Sequence, residues 1–450
     1  MSDRLIASIK VEGLFGLYDY TLPEGRDFED AAILYGDNGV GKSTVLRLAF
    51  HLMSAADNRG HRTALYNAEF AKLEVLLTSR VLLSAVRVGD ILSLAIELDG
   101  EVLAVWDFKP RNLGESADDY EIEIVDGKLR RTLKLTSRPS ARTHGEYPYL
   151  KTLGAFIPNL FILTADRRLD SDSVSDPSDE VEFRKIMRFE DHKRLSDLVV
   201  RSRQIGLSQA LSNTSKWIAK KALEGANEGT TNVHAVYSDV LQHIMLPPSR
   251  QSIDSIIDPA ALIKQLISIE QRTSQLARYD LATPLSVTDF KKALSGRTPA
   301  KRSLAAALLS PYVESLEGRL KAVEPIYELV HNFVETINGF LSDKKITFKV
   351  GLGFGLVNRK DVDLEPAQLS SGEQQLLLLF CYVLTARDKP TVFMIDEPEI
   401  SLNIKWQRQL VQSLLNITEG AQIQFLFASH SLELLSQHRQ RVIKLESKDG

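Results

Sequence analysis

The chain has 450 residues, 44% of them hydrophobic, an ordinary globular balance that argues against wholesale disorder. The length allows about two to three domains with a large buried core. Lys and Arg total 55 against 59 Asp and Glu, a formal charge of −4. That excludes a binder that grips nucleic acid with a basic tail, but not one with a local basic groove. The single cysteine, Cys381, excludes an intrachain disulfide, a cysteine-built zinc site within one chain and a CxxC hook. Residues 1–13 lack a basic region followed by an apolar core, and no run of about 18 apolar residues occurs. A soluble, cytoplasmic protein with no membrane partner is the expectation.

Three regions follow in chain order. Residues 1–170 read as β-rich with one early helix. Strands are expected over 5–11, Ala31–Tyr35, Lys72–Leu77, 92–98, 102–106 and 160–164, and a helix over Lys42–Met53. Residues 169–182, rich in Asp and Ser, read as a solvated loop. Residues 171–345 are otherwise helical in pattern. Leu262, Leu266, Ile269, Thr273 and Leu276 are spaced 4, 3, 4, 3. Val313, Leu316, Leu320, Val323, Tyr327, Val330, Val334, Ile337 and Leu341 alternate 3 and 4. Such seams suit helices packed within one chain, preferred here to an intermolecular coiled coil. Pro325 should kink or interrupt the second seam. Residues 346–450 return to β/α, with strands at 345–350, 355–364, 391–395, Ile423–Ala428 and 442–445, and helices at 372–386 and 405–416. Short apolar runs alternating with helices imply a largely parallel sheet.

Four motifs carry chemistry. GDNGVGKS, residues 36–43, matches the P-loop pattern and sits between an expected strand and an expected helix. Gly36, Gly39 and Gly41 let the backbone curl until its N–H groups converge on phosphates, with Asn38 in the turn and Thr44 just inside the helix. The helix N-terminus adds a favourable dipole. Lys42 supplies a charge to the β and γ phosphates, and the Ser43 hydroxyl is a Mg²⁺ ligand. TVFMIDEP, residues 391–398, delivers Asp396 and Glu397 to the end of an apolar strand. Asp396 can hold Mg²⁺, directly or through water or Ser43; Glu397 is placed to polarise an attacking water. LSSGEQQ, residues 369–375, reads locally as an ordinary N-cap with Glu373 in the first turn, or as an anion site built on Ser371 and Gly372. In FLFASHSLELL, residues 425–435, His430 follows a buried strand, where it is either a structural residue or a γ-phosphate sensor.

The order P-loop, LSSGE, DEP, SH resembles the ATP-binding cassette (ABC) superfamily, over residues 1–53 and 369–435. The resemblance implies an α/β ABC-ATPase head with a mixed or parallel sheet and an antiparallel β subdomain. It divides the chain into lobe I (1–170), a helical insertion (171–345) and lobe II (346–450). It also implies ATP hydrolysis with Mg²⁺, and head-to-tail pairing in which Ser371 and Gly372 act on nucleotide held by the partner's P-loop. Ser401, Leu402 and Asn403 fall where the family places its interface-crossing D-loop. Transporter cassettes and long-armed chromosome-organising ATPases fit poorly, by motif spacing and insertion length. IKVEGLFGLYDYTL and IDEPEISLNIKWQ are most similar to the OLD-like and RecF-like group, although Ile404 stands where a His-Pro-like step is common. The chain has no C-terminal Toprim nuclease, which points to a separate effector. Size and layout resemble the AriA family, the ATPase subunits of PARIS anti-phage systems. That likeness implies a homo-oligomer that holds a Toprim-type, AriB-like nuclease and releases it on sensing a phage trigger. The alternative reading is a RecF- or SMC-like DNA-bound repair or recombination ATPase.

Several positions stay open. No glutamine-loop residue is assignable; 164–168 is the nearest stretch, with Arg167 either a phosphate or subunit contact or a salt-bridge partner. Phe15 and Tyr18 either stack an adenine or pack in the core, the latter preferred. Cys381 reads as a small core residue. Ten basic residues between Arg184 and Lys221, against three acids, form one patch. Lys291, Lys292, Arg297, Lys301 and Arg302 form a second. Each suits either a phosphate backbone, an acidic protein or plain solvation.

Overall fold

The computed structural model describes residues 5–57, 59–110, 120–125, 128–133, 145–164, 169–171, 192–228, 258–400 and 402–446. It divides into two compact units, one of Met1–Glu190 with Ala386–Gly450 and one of Asp191–Thr385. Of the loop expected at 169–182, Leu169–Ser171 instead form a strand, because they pair with residues 161–163, and residues 172–182, like the candidate Arg167 and Ser401, lie outside the described residues.

The first unit opens with β1 (Ile6–Leu14), β2 (Tyr18–Leu22) and β3 (Ala31–Tyr35), then helices α1 (Lys42–Met53) and α2 (His61–Asn67). Next come β4 (Lys72–Leu77), β5 (Val81–Val88), β6 (Ile91–Leu98) and β7 (Glu101–Phe108), a hairpin of β8 (Tyr120–Val125) and β9 (Lys128–Leu133), α3 (Glu146–Phe156), β10 (Asn159–Leu163) and β11 (Leu169–Ser171). In the second unit lie α4 (His192–Glu228), α5 (Pro259–Leu276), α6 (Thr288–Leu294), α7 (Pro299–Phe340), the hairpin β12 (Lys344–Lys349) and β13 (Gly353–Asn358), and α8 (Ser371–Thr385). The chain then returns to the first unit with β14 (Thr391–Asp396), α9 (Ile404–Thr418), β15 (Ile423–Ala428), α10 (Leu432–Gln437) and β16 (Val442–Lys444).

The first unit holds two six-stranded sheets. One is antiparallel, in the order β2-β1-β4-β5-β6-β7. Its β4 alternates partly buried and buried residues, as a strand with one covered face must. The other runs β11-β10-β14-β15-β3-β16, parallel throughout except for β11. Every residue of β14 and β15 is buried, the pattern of central strands covered on both faces. This is an α/β fold with mixed sheets and helical insertions, consistent with an ABC-ATPase-type head. Asp396 pairs with Ala428, and Ala428 with Leu34. That register brings the C-terminal ends of β14, β15 and β3 side by side, so the segments that follow them share one end of the sheet.

In the second unit the predicted seams meet within one chain. Leu262, Leu266, Ile269 and Leu276 of α5 share a buried cluster with Val313, Leu320 and Val323 of α7. The expected interruption at Pro325 does not occur: α7 runs unbroken through both Pro311 and Pro325. Each proline removes one intrahelical bond, but buried Val313, Leu320, Val323, Val330 and Val334 anchor the helix on either side. The strand expected to reach residue 364 stops at Asn358. There the Asn358 side chain accepts bonds from the N–H groups of Lys360 and Val362 and turns the chain, with Asp361 left-handed. The strand β5 and the helices α2 and α3 have no counterpart in the sequence reading.

Candidate functional site

The loop after β3 is shaped by glycine. Gly39 and Gly41 have φ of +90° and +91°, a region that L-residues avoid. A Cβ on Gly41 would lie 2.6 Å from Leu14 Cδ2, and one on Gly36 would lie 2.8 Å from the Leu445 carbonyl oxygen. Asn38 is exposed in the turn, and Thr44 is partly buried in the first turn of α1. The Tyr20 hydroxyl braces the loop by donating to the Val40 carbonyl at 2.9 Å. Lys42 is buried, and its Nζ donates to the carbonyls of Gly36 and Asp37, each at 2.8 Å.

Two sequence-distant motifs touch here. The Ser43 hydroxyl donates to Asp396 Oδ1 at 2.5 Å, and Arg47 Nη2 lies 3.3 Å from Asp396 Oδ2. Asp396 is only 2% exposed. Ser43 and Asp396 together present hard oxygen donors, which fits Mg²⁺; that ion commonly takes one or two protein oxygens and fills its shell with water and phosphate. Among the described residues no cluster of three or more His, Cys, Asp or Glu could cage a metal without such help. Arg47 had no assigned role in the sequence reading; its position four residues after Ser43, one helical turn on, was the available signal.

Glu397 follows at φ +49°, rare for a non-glycine residue, with its N–H donating to the Ala428 carbonyl at 2.8 Å. Its side chain is about a third exposed, at 30%, and Oε1 lies 3.8 Å from His430 Nδ1. Glu399, to which the sequence reading gave no role, lies closer to that ring, with Oε1 3.4 Å from His430 Nδ1. The signal for it was an acid two residues beyond Glu397 in the same run.

Ser371 and Gly372 open α8 in the second unit. Ser370 and Glu373 form a reciprocal cap: the Ser370 N–H donates to Glu373 Oε2 at 2.6 Å, and the Glu373 N–H to Ser370 Oγ at 3.4 Å. Burial pushes the Glu373 carboxyl up, but Lys344 Nζ at 2.7 Å and the Ser370 N–H outweigh it and hold the group below the usual range. The N-cap reading is therefore present in the geometry, and it leaves Ser371 free of the capping task. Asn403 likewise caps α9, accepting from the Trp406 N–H at 2.9 Å. Phe15 stands at the rim of the P-loop, 36% exposed, whereas Tyr18 stacks on Tyr20. Cys381 is buried, with its thiol pushed up to about 12 by that burial.

A family model described as "AAA domain, putative AbiEii toxin, Type IV TA system" matches residues 238–436. Two molybdenum import ATP-binding ModC proteins, of Escherichia coli K12 and Shigella flexneri, are each 36% identical over 86 residues. The match takes in 19% of this chain and only 24% of each relative's length. Among solved structures, Smc head domains of Pyrococcus furiosus, bound to the C-terminal domain of ScpA, and of Pyrococcus yayanosii align over 96% of this chain and 91% and 93% of theirs. Their identity is 12% in both cases, with TM-scores of 0.35 and 0.34. Over residues 238–436 the chain is similar to ATPase domains of the ABC-like AAA type. It is related to ATPases of toxin–antitoxin systems and of ABC transporters. Nucleotide binding is the general property of such domains, and ATP hydrolysis their general activity. No helix among the described residues is long and apolar enough to cross a membrane.

Proposed function

We propose that this chain is the ATP-binding head of a nucleotide-gated switch that hydrolyses ATP. The observation that carries the reading is the 2.5 Å bond from Ser43 to Asp396, which joins the P-loop helix to the end of β14. ATP would rest its β and γ phosphates on the N–H groups of residues 36–44, with Lys42 exchanging its two carbonyl partners for phosphate oxygens. Mg²⁺, held by Ser43 and Asp396, would neutralise charge on the transferred group. Glu397 takes the proton from the attacking water, and His430 contacts the γ-phosphate region from the neighbouring strand end. Ser371 and Gly372 complete the site of a second copy, which makes the active form a homo-oligomer. The test is steady-state ATP turnover with and without Mg²⁺. Turnover lost in both Lys42→Ala and Glu397→Gln supports the reading, and turnover retained in either overturns that residue's role.

The setting we place first is a DNA-bound repair or recombination ATPase. An exposed basic turn between α6 and α7 supports it: Lys292, Arg297, Lys301 and Arg302 are exposed and Lys291 partly so, and among the described residues only Lys292 is paired, to Asp289 at 3.1 Å. The other sequence patch is less free, since Lys220 and Lys221 both pair with Glu224; residues 184, 185 and 188 lie outside the described residues. Turnover stimulated by duplex DNA, with an affinity that falls steeply with salt, is expected. Reversing Arg297, Lys301 and Arg302 to Glu should remove the stimulation. The alternative setting is an anti-phage switch that holds a Toprim-type nuclease; none of the relatives described above carries an AriA or PARIS description. A nuclease-resistant, stoichiometric protein partner on purified Glu397→Gln protein would favour it over DNA.

A further inference from the structure

Glu399 is buried at 7% exposure, immediately beyond the strand that ends in Asp396. One of its oxygens, Oε1, accepts three hydrogen bonds from the segment after β15: the Ser429 hydroxyl at 2.8 Å, the His430 N–H at 3.0 Å and the Ser431 N–H at 3.1 Å. A carboxylate that gathers two successive backbone N–H groups and a hydroxyl fixes a loop far more firmly than one contact would, since charge-assisted bonds are about twice as strong as neutral ones. Its other oxygen, Oε2, is buried without a hydrogen-bond partner among the described residues. A buried, half-satisfied carboxylate is costly, so its presence calls for a role beyond packing.

The segment is also tied from the far side. The Ser431 hydroxyl donates to Gln407 Oε1 at 2.8 Å, and Gln407 Nε2 donates to the Leu402 carbonyl at 2.9 Å. The Glu399 and Gln407 side chains thus buckle three segments together: the exit of β14, the turn at Leu402 that leads into α9, and the loop carrying His430. The imidazole is 51% exposed, with its Nδ1 3.4 Å from the same Glu399 Oε1 and 3.8 Å from Glu397 Oε1, so Glu399 reaches both the backbone and the ring of His430.

We infer that Glu399 is the positioning residue for His430: it holds the ring in line with Glu397 and couples it, through Gln407, to the turn at Leu402. This deepens the proposed function and rests on it for the role of His430. Glu399 contacts no reacting atom in this account.

Two measurements on the full chain test it. The first is amide hydrogen exchange, which is independent of any activity. Glu399→Ala should raise exchange at His430 and Ser431 by about tenfold or more while Phe425 to Phe427 of β15 stay protected; Glu399→Gln, which keeps an acceptor oxygen, should restore protection. Uniform loosening of β15, or no change at His430 and Ser431, would overturn the buckle. The second is a double-mutant cycle on ATP turnover. Glu399→Ala should lower kcat about as much as His430→Ala with little change in KM, and the double variant should be no worse than His430→Ala alone. Additive losses, or a loss confined to KM, would overturn the positioning role. Wild-type protein without turnover would instead refute the ATPase reading, leaving the exchange result to decide the buckle.

Discussion

Lys42 is a buried cation whose partners among the described residues are two carbonyl oxygens of its own loop. Phosphate oxygens are the stronger acceptors, so the loop is set for exchange when nucleotide arrives. Lys42→Ala is expected to weaken ATP binding about 10- to 100-fold, the equivalent of about 1.5–3 kcal/mol for a charged hydrogen bond, read by calorimetric titration. An undiminished affinity would mean that phosphate does not sit on this loop. Glu397 occupies a left-handed backbone position at φ +49°. Such a position costs about 1–3 kcal/mol in a non-glycine residue and is often kept where it aims a functional side chain. Glu397→Gln should keep ATP affinity and lower kcat by about 10²–10⁴, the usual worth of a general base.

At the scale of elements, α1 and α2 meet through two imidazoles. His51 Nδ1 and His61 Nδ1 lie 2.9 Å apart, so one ring donates to the other and at least one is neutral. Burial, together with the neighbouring ring and Arg62, lowers His51 to about 3; burial and Arg62 lower His61 to about 4. The native pair is therefore neutral at pH 7, while the unfolded rings bind protons from about pH 6.5 downward. Stability contributed by the pair is complete above that value and declines as pH falls from 6.5 towards 4, by up to about 1.4 kcal/mol per pH unit for each ring. Denaturant titrations across that window should show the slope, and a His51→Asn, His61→Asn variant should flatten it. In the second unit, α7 carries an exposed proline at position 325. Because neighbouring apolar residues hold the helix around it, Pro325→Ala should stabilise this unit by up to about 3 kcal/mol, the difference in helix propensity. A lower unfolding midpoint would show that the proline serves the packing.

At the scale of the whole molecule, the candidate chemistry is divided between two compact units. The P-loop, Asp396, Glu397 and His430 belong to one, and Ser371 and Gly372 to the other. On the proposed function, in which a second copy completes the site, self-association would depend on ATP. Glu397→Gln with ATP and Mg²⁺ should run as a larger species in light scattering than the nucleotide-free protein, and adding Lys42→Ala should abolish that shift. A mass that ignores nucleotide would leave Ser371 and Gly372 without a task in catalysis.

Local pattern alone placed β3, α1, β4 and β15 at their observed limits, because each is a short apolar or periodic run bounded by glycine or a turn. It also singled out the glycine loop at 36–43 and Asp396, each marked by a contiguous run of residues, which the structure brings together. The apolar seams of α5 and α7 were legible for the same reason: helical spacing marks a buried face wherever the partner lies. Tertiary structure alone decided the rest. The Ser43–Asp396 bond spans 353 positions and exists because a parallel sheet sets the ends of β3 and β14 side by side, with β15 between. The continuity of α7 through Pro325 reflects packing that outweighs the proline. Glu399 has an acidic side chain like any other in the sequence; only the register of β14 against β15 turns it towards the loop of His430.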